Sequence, residues 1–409
     1  MKRILPLLGP ALVAGVAYLD PGNVAANMTA GARYGYLLVW VVILGNLIAW
    51  LVQYLSAKLG VSTGQSLPQI IGERTPNPWL RRGYWAQAEL VAIATDVAEV
   101  IGGAVALQLL FGLPLVLGGL VTAIASLGLL MIQNRGSARV FEWIIIALLV
   151  VIAVGFGVGA IVSPPSAAGF FGGLVPHFTD LGSLLLATSI LGATIMPHAI
   201  YAHSALTRDR FGRVDAGAAR TRILRATRVD VTVALVVAGT VNLAMLLVGA
   251  TTLGSVTGDL SLEHIFVVLG SKMGPVIAFL FALGLLASGL ASTSVGAYAG
   301  AEVMSGLLKI RIPLITRRAI TVIPAVVILA CGVNPLWALI FSQVVLSFGI
   351  PFALIPLIHF TRQRSLMENA INTVTTTTLA VIAAVIVTGL NVTLVIITLA
   401  QALGSSINV

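Results

Sequence analysis

The sequence predicts an all-α protein that crosses a membrane many times, and two observations support this fold class. Apolar residues make up 58% of the 409 residues and charged residues only 9%, whereas a soluble domain carries about 25% charged residues. The apolar residues form long continuous runs of the length that a helix needs to cross the hydrocarbon core. A membrane β-barrel would show short alternating segments instead. Soluble enzymes, disordered proteins and barrels are therefore excluded.

Eleven apolar runs are candidate membrane spans. They lie near residues 4–32, 36–58, 84–110, 113–132, 141–163, 182–206, 230–252, 274–307, 317–333, 337–359 and 378–402. If the N-terminus is cytoplasmic, all of the 23 Lys and Arg residues except Arg33 and Lys272 fall on the cytoplasmic side, as the positive-inside rule requires. We therefore predict a multi-pass protein of the inner (plasma) membrane, with an extracytoplasmic C-terminus.

The net charge of +9 does not indicate a nucleic-acid partner. The largest group of arginines lies at 208–228, which the predicted spans make a cytoplasmic loop. The positive-inside rule already explains such a group. We interpret it as an anchor of the topology and expect no nucleic acid to bind.

The first predicted span contains a break. The apolar segment Ile4–Leu19 has only 16 residues, and it is followed by Asp20, Pro21, Gly22 and Asn23. Proline removes a backbone donor and clashes with the preceding turn, and an aspartate at bilayer depth is rare and costly. The helix is therefore predicted to open here, where irregular backbone must be buried in protein or line a cavity.

The sixth predicted span repeats this feature, with Gly192 before the break and Pro197 inside it. The two breaks are five spans apart, and a repeat of five spans places its copies in opposite orientations. Broken helices in corresponding places of two inverted halves indicate the substrate site of a secondary transporter; two ordinary proline kinks are the alternative. We predict a first inverted repeat over 1–163 (helices 1–5), a second over 164–362 (helices 6–10) and an additional helix 11 in 363–409.

Several motifs together resemble one family. They are Asp-Pro-Gly-Asn at 20–23, Gly-Ala-Thr-Ile-Met-Pro-His at 192–198, Ala-Thr-Asp-Val-Ala-Glu at 94–99, Ser-Gln-Val-Val-Leu-Ser at 342–347 and Arg-Arg at 317–318. In this order they are similar to the Nramp family of proton-coupled divalent transition-metal transporters, whose bacterial members are mostly manganese importers. The resemblance covers essentially the whole chain. It implies a LeuT-like core of five plus five inverted helices, with discontinuous helices 1 and 6 and an eleventh helix added.

The residues at the two breaks indicate a site for a divalent transition metal. Asp20 offers an anionic oxygen and Asn23 an amide oxygen, which suit hard ions, whereas the thioether of Met196 favours softer metals over Ca²⁺ and Mg²⁺. One anionic ligand, neutral oxygens and one sulfur describe Mn²⁺ or Fe²⁺, with Cd²⁺ as a toxic passenger. Met196 could instead be flexible core filler. By the resemblance, further ligands are the backbone carbonyls of Ala17 and Ala193, and Gln343 when the site closes.

Intramembrane acids and a histidine indicate a proton route. Asp96 and Glu99 are three residues apart and share a helix face, and His198 can titrate near neutral pH. The resemblance implies that the route runs from Asp20 through His198, Asp96 and Glu99 to Arg317 and Arg318. The alternative is a buried ion pair of Glu99 with Arg318 that holds helices together, and one pair can serve both purposes.

The function predicted from these features is import of Mn²⁺, and also of Fe²⁺ and Cd²⁺, coupled to protons by alternating access. The metal and the protons are substrates, so no resident cofactor is expected, and a monomer in the lipid bilayer is the expected state. Two alternatives share the architecture or the family: a Na⁺-coupled amino-acid symporter and a related Mg²⁺ transporter. A metal-gated channel is a third. An enzyme is not expected, because His-Glu-x-x-His and Gly-x-Ser-x-Gly motifs are absent.

Overall fold

The computed structural model describes residues 9–134, 138–254, 260–310 and 312–403. The start of the first predicted span at residues 4–8, the N-terminus that we predict to be cytoplasmic, and the C-terminal residues 404–409 lie outside these ranges. Within them the chain is helical and contains no strand.

The described helices are, in chain order, α1 (Pro10–Gly15), α2 (Pro21–Tyr34), α3 (Val39–Thr63), α4 (Leu67–Arg74), α5 (Pro78–Phe111), α6 (Leu115–Asn134), α7 (Ala138–Val162), α8 (Ala167–Gly172), α9 (Leu181–Ile195), α10 (Pro197–Phe211), α11 (Ala218–Val248), α12 (Leu262–Met273), α13 (Pro275–Leu308), α14 (Leu314–Ala330), α15 (Pro335–Thr361), α16 (Arg364–Met367) and α17 (Val374–Ala402). A 3₁₀ turn at Val16–Leu19 follows α1, and a π-helical turn at Gly249–Leu253 follows α11.

Each of the eleven predicted spans overlaps at least one of these helices. Among the described residues, seven helical segments are long and apolar enough to cross a membrane: α3, α5, the pair α9–α10, α11, α13, α15 and α17. The remaining predicted spans correspond to α1 with α2, α6, α7 and α14. Proline or glycine at the first turns and ends of these helices sets many of their bounds, as at Pro78, Pro275 and Pro335.

The broken helices lie in the centre of the molecule. In the most apolar 18 residues of the α9–α10 pair, 94% are buried, against 39% in α17. Helix α2 packs against α9, α11 and α15, while α5 packs against α13, α14 and α15. The two breaks and the acidic face of α5 are thereby surrounded by other helices, and α17 is left at the periphery.

The prediction of an arginine-rich loop at 208–228 is wrong. Helix α10 continues to Phe211 and α11 begins already at Ala218. Six of the seven arginines therefore belong to helices: 208 and 210 to α10, and 220, 222, 225 and 228 to α11. Arginine has a high helix propensity, and a search for apolar runs detects only the membrane part of such a helix. Arg220 is 3% exposed and forms an ion pair with Glu368 at 2.9 Å.

Candidate metal-binding site at two helix breaks

The first break opens the backbone at Asp20. After the 3₁₀ turn, Asp20 has an extended conformation with ψ of 163°, and Pro21 begins α2. Proline suits the first position of a helix because its missing N–H would have no partner there. Asp20 caps α2, since its Oδ1 accepts a hydrogen bond of 2.8 Å from the backbone N–H of Asn23. The carboxylate is therefore fixed at the N-terminus of a half-helix, in the interior of the protein.

Side chains satisfy the carbonyl groups that this break frees. The Tyr18 carbonyl accepts from the Asn23 Nδ2 and, at 3.2 Å, from the Asn242 Nδ2. The Leu19 carbonyl accepts from the Ser288 hydroxyl. Because a buried carbonyl without a partner is costly, these contacts from α2, α11 and α13 hold the open conformation in place.

The second break meets the first. Helix α9 ends at Ile195, Met196 has a non-helical conformation (φ −9°, ψ 115°), and Pro197 begins α10. The Nδ2 of Asn23 donates to the carbonyl of Ala193, in the last turn of α9, over 3.3 Å. One polar side chain from the first break therefore bonds to the backbone that precedes the second.

Gln343 on α15 joins these two segments. Its Nε2 donates to the Oδ2 of Asp20 over 2.7 Å. Glycines make this approach possible, because a Cβ at Gly22 would lie 1.8 Å from the Gln343 Nε2 and a Cβ at Gly192 would lie 1.9 Å from the Gln343 carbonyl oxygen. The Oε1 of Gln343 has no hydrogen-bond partner among the described residues, so it is a free acceptor beside the carboxylate.

The possible metal-ligand atoms at the breaks comprise one carboxylate and several neutral groups. The residues predicted as ligands are all 0% exposed: Ala17, Asp20, Asn23, Ala193, Met196 and Gln343. The described residues contain no cluster of three His, Cys, Asp or Glu that could hold a metal, so a site here has one carboxylate with amide, carbonyl and thioether groups. The Asn23 Oδ1 accepts from the Asn27 Nδ2 at 2.7 Å, and a metal bound by Asn23 would take over this oxygen. The ligand roles stay predictions.

The acidic residues of α5 form a second buried cluster, which we call the α5–α14 ion cluster. Its core is Arg318 of α14, whose Nη1 donates to the carboxylates of Asp96 and, at 3.2 Å, of Glu99. The guanidinium also donates hydrogen bonds to the hydroxyls of Thr293 and Ser126, at 3.2 and 3.3 Å. Arg318 is 1% exposed, so the ion pair considered from sequence is present, and in addition it includes Asp96.

Arg317 and His198 lie beside this cluster but have other partners. The Nη2 of Arg317 donates to Glu89 over 2.9 Å, so the two neighbouring arginines serve different carboxylates. The Nδ1 of His198 lies 3.3 Å from the Thr95 hydroxyl, next to Asp96 in the chain, and its Nε2 has no hydrogen-bond partner among the described residues. The structure thus brings His198 close to the acidic face of α5. The order of a proton route through these groups stays a prediction.

Reasoning from sequence missed several residues that hold the site together. Tyr18, Ser288 and Asn27 bond to the first break. Glu89 was recognised from sequence as an acid of the third span, but its pairing with Arg317 was not. A signal exists for the first group, because a freed carbonyl in a membrane requires a donor. No signal in one sequence says which helix supplies that donor.

These features define a class of protein. It is a multi-pass helical membrane protein in which two helices, five predicted spans apart, are broken at a common buried polar site, an arrangement typical of secondary transporters.

Comparison with known proteins identifies the family. Residues 11–397 match the Nramp model, described as natural resistance-associated macrophage protein-like. The chain is 53% identical to the divalent metal cation transporter MntH of Mycobacterium tuberculosis, over 97% of this chain and 93% of that protein. It is 46% identical to MntH of Bacillus subtilis, again over 97% and 93%. The chain belongs to the Nramp family.

Solved structures confirm the predicted fold class. The manganese transporter of Eremococcus coleocola, in complex with an aromatic bis-isothiourea substituted compound, has a TM-score of 0.84 and 31% identity, over 95% of this chain and 86% of that one. A nucleobase-cation-symport-1 family transporter has a TM-score of 0.59 and 15% identity, over 90% and 81%. The second likeness concerns the fold alone. The domain bounds and the orientation of the termini stay predictions.

Proposed function

We propose that this chain imports divalent transition-metal ions, with Mn²⁺ as the main substrate, and couples their entry to protons by alternating access. The carrying observation is the contact between the two breaks, where Asn23 bonds to the Ala193 carbonyl beside the Asp20 carboxylate. The chain's relatives are named as divalent metal cation and manganese transporters, which supports a metal as the substrate.

The donor set favours a borderline metal over hard ions. Asp20 has neutral hydrogen-bond donors in Asn23 and Gln343, and it is absent from the ion pairs of the described residues. Its negative charge is therefore available to a cation. A thioether from Met196 in the same set disfavours Mg²⁺ and Ca²⁺, which extends the proposed substrates to Fe²⁺ and Cd²⁺.

The α5–α14 ion cluster supports proton coupling. Ionisable residues buried in membrane helices mark proton relays by default, and this cluster lies beside His198, two residues beyond Met196. A proton leaving the metal site would pass His198 and reach Asp96 and Glu99, whose counter-charge is Arg318. Breaking and re-forming of these ion pairs would accompany the movement of the broken helices about their proline and glycine hinges.

Proteoliposomes test this proposal. Radiolabelled manganese uptake and luminal pH are measured together, with an inside-negative potential that contributes about 2.3 kcal/mol per charge per 100 mV. We expect saturable Mn²⁺ uptake with acidification of the lumen. Titration calorimetry of Mn²⁺ against Mg²⁺ on the purified protein adds the selectivity, with Mn²⁺ binding more tightly.

Each alternative gives a different result in the same assays. Sodium-dependent amino-acid uptake without metal uptake would indicate a symporter of another substrate class. Tighter binding of Mg²⁺ than of Mn²⁺ would indicate a magnesium transporter. Metal flux that neither saturates nor moves protons would indicate a channel.

A further inference from the structure

A groove runs between α15 and α17, away from the two breaks. Its volume is about 670 Å³, within the roughly 300–1,000 Å³ of small-molecule sites. Most of its lining is aliphatic, with Ile355 and Ile358 on α15 and Val381, Val385 and Val392 on α17. An aliphatic lining offers water few hydrogen bonds, so an occupant that is apolar over most of its length is favoured here.

Hydrogen bonds connect the two helices on both sides of this groove. At one end, the Ser347 hydroxyl donates to the Asn391 Oδ1 at 2.8 Å, and the Asn391 Nδ2 donates to the Ser347 carbonyl at 2.9 Å. At the other end, the amide and Nδ2 of Asn372, just before α17, donate to the carbonyl and hydroxyl of Thr361 at 3.1 and 2.8 Å. The helices are therefore fixed at two points and separate between them.

Prolines and small residues explain why the helices separate. Pro351 and Pro356 lie inside α15, between the two fixed points, and each removes a helix hydrogen bond. The carbonyl that Pro351 frees belongs to Ser347, and Asn391 donates to it. On the facing side, Gly389 contributes no side chain, and an added Cβ there would meet no atom within 4 Å. The prolines of α15 and the glycine of α17 thus both contribute to the groove.

One end of the groove carries positive charge. His359 and Arg362 line it there. A second cavity of about 480 Å³ adjoins this end, shares Arg362 and Val381 with the groove, and adds the polar side chains of Asn372 and Thr377. Arg362 is exposed and has no ion pair or hydrogen bond of its side chain with the described residues. An anionic group at this end would therefore meet an unpaired guanidinium and neutral hydrogen-bond donors.

We propose that this groove binds an anionic phospholipid, with one acyl chain between α15 and α17 and the phosphate at Arg362. From Val381 to Val392 the groove follows α17 for about 16 Å at 1.5 Å per residue, close to half of the ~30 Å hydrocarbon core. This is the depth of one leaflet. The positive-inside prediction places Arg362 in the cytoplasm, where membranes expose anionic lipids. The charge at the end of the groove selects the head group, and the aliphatic lining accepts the chain.

Native mass spectrometry of the purified full chain tests this site, with phosphatidylglycerol and phosphatidylcholine of the same acyl chains as probes. The wild type is expected to retain phosphatidylglycerol more strongly. Arg362→Gln should weaken phosphatidylglycerol retention about fivefold, the effect of one basic residue near a charged lipid surface. It should weaken phosphatidylcholine retention less, because the choline ammonium offsets the charge of its phosphate. Gly389→Leu, which fills the groove, should reduce retention of both lipids.

Matched variants keep this test specific. Arg364→Gln removes an exposed arginine that does not line the groove, and it should leave retention of both lipids unchanged. Thr388→Leu fills the same groove from the adjacent position and is used if Gly389→Leu lowers the thermal unfolding temperature. Equal retention of the two lipids, or no effect of the groove-filling variants, would overturn the proposal. A dimer that Gly389→Leu dissociates would overturn it too, because a second copy of this chain would then occupy the groove.

Discussion

The site at the helix breaks and the α5–α14 ion cluster are both buried and polar, but they handle charge in opposite ways. At the breaks, Asp20 has only neutral hydrogen-bond donors, Asn23 and Gln343, among the described residues. In the ion cluster, Asp96 and Glu99 share the guanidinium of Arg318. Among the residues that the structure describes, the first region has no positive charge of its own, whereas the second contains one.

The two regions also differ in backbone structure. Both helices at the breaks are interrupted, and their carbonyls face side chains such as Asn23 and Ser288. The ion cluster is built on continuous helices, α5 and α14, through side chains alone, although α14 contains Pro324. Under the proposed function, the first region must release a cation, which neutral and movable donors allow. The second would carry protons, which requires charges that persist in each state. The comparison predicts that metal binding and proton movement can be separated by mutation.

The largest effect is expected for Asp20→Ala, which removes the carboxylate of the proposed metal site. Loss of a residue that merely orients a ligand costs 10–100-fold in metal affinity, so loss of this ligand should reduce Mn²⁺ uptake more than about 100-fold. Uptake in proteoliposomes measures it. Asp215→Asn, which changes a carboxylate with 94% of its side chain exposed, is the control. Near-normal uptake by Asp20→Ala would remove Asp20 from the site.

The next largest effect is expected for Arg318→Met, which should lower the stability of the protein. It leaves two buried carboxylates without their counter-charge, which typically costs about 3–5 kcal/mol in the free energy of unfolding. Thermal unfolding in detergent measures the loss, with the exposed Arg364→Met as control. Combining Arg318→Met with Asp96→Asn and Glu99→Gln should recover most of the lost stability, because no unpaired charge then remains buried. Unfolding of Arg318→Met at the wild-type temperature would contradict the ion cluster.

His198→Ala and Glu99→Ala should affect protons more than metal. Removing a positioned proton-transfer group is expected to slow acidification on the order of 10-fold or more, while Mn²⁺ binding by calorimetry changes little. Luminal pH and radiolabelled manganese are followed in the same vesicles. His203→Ala is the matched control, because His203 also lies in α10 and its Nδ1 bonds to Gln53 of α3 at 2.8 Å. Intact acidification with either variant would exclude that residue from the relay.

The smallest effect is expected for Met196→Ala, which removes one proposed neutral ligand and keeps the charge of Asp20. Mn²⁺ uptake should persist at a reduced level, while discrimination against Ca²⁺ and Mg²⁺ falls on the order of 10-fold, about 1.4 kcal/mol of differential binding. Competition of these ions with radiolabelled manganese measures the change. Met28→Ala, which alters another buried methionine, on α2, is the control for lost packing. Unchanged selectivity would make Met196 core filler.

Local sequence signals predicted the helix breaks and much of the candidate site. Proline, glycine and a charged residue inside an apolar run point to an opened helix, and this is why Asp20, Asn23 and Met196 could be selected before their positions were known. Gln343 was named through the family resemblance, and its contact with Asp20 depends on how α15 packs against Gly22 and Gly192.

Contacts that depend on the register of two helices could not be predicted. Arg317 and Arg318 are adjacent in sequence, yet one pairs with Glu89 and the other with Asp96 and Glu99. The choice follows from the position of α14 along α5, which no single-helix pattern encodes. The N-terminal extension of α11, from Ala218, was missed for a related reason, because hydropathy detects only the apolar part of a helix.

Anomalous scattering from crystals soaked in Mn²⁺ tests most directly whether the helix breaks bind the transported metal. The expected result is one strong peak between the Asp20 carboxylate, the Asn23 side chain, the Ala193 carbonyl and the Met196 sulfur, absent in Asp20→Ala. A peak at the carboxylates of Asp96 and Glu99, with none at the breaks, would contradict the assignment of metal and proton to separate regions.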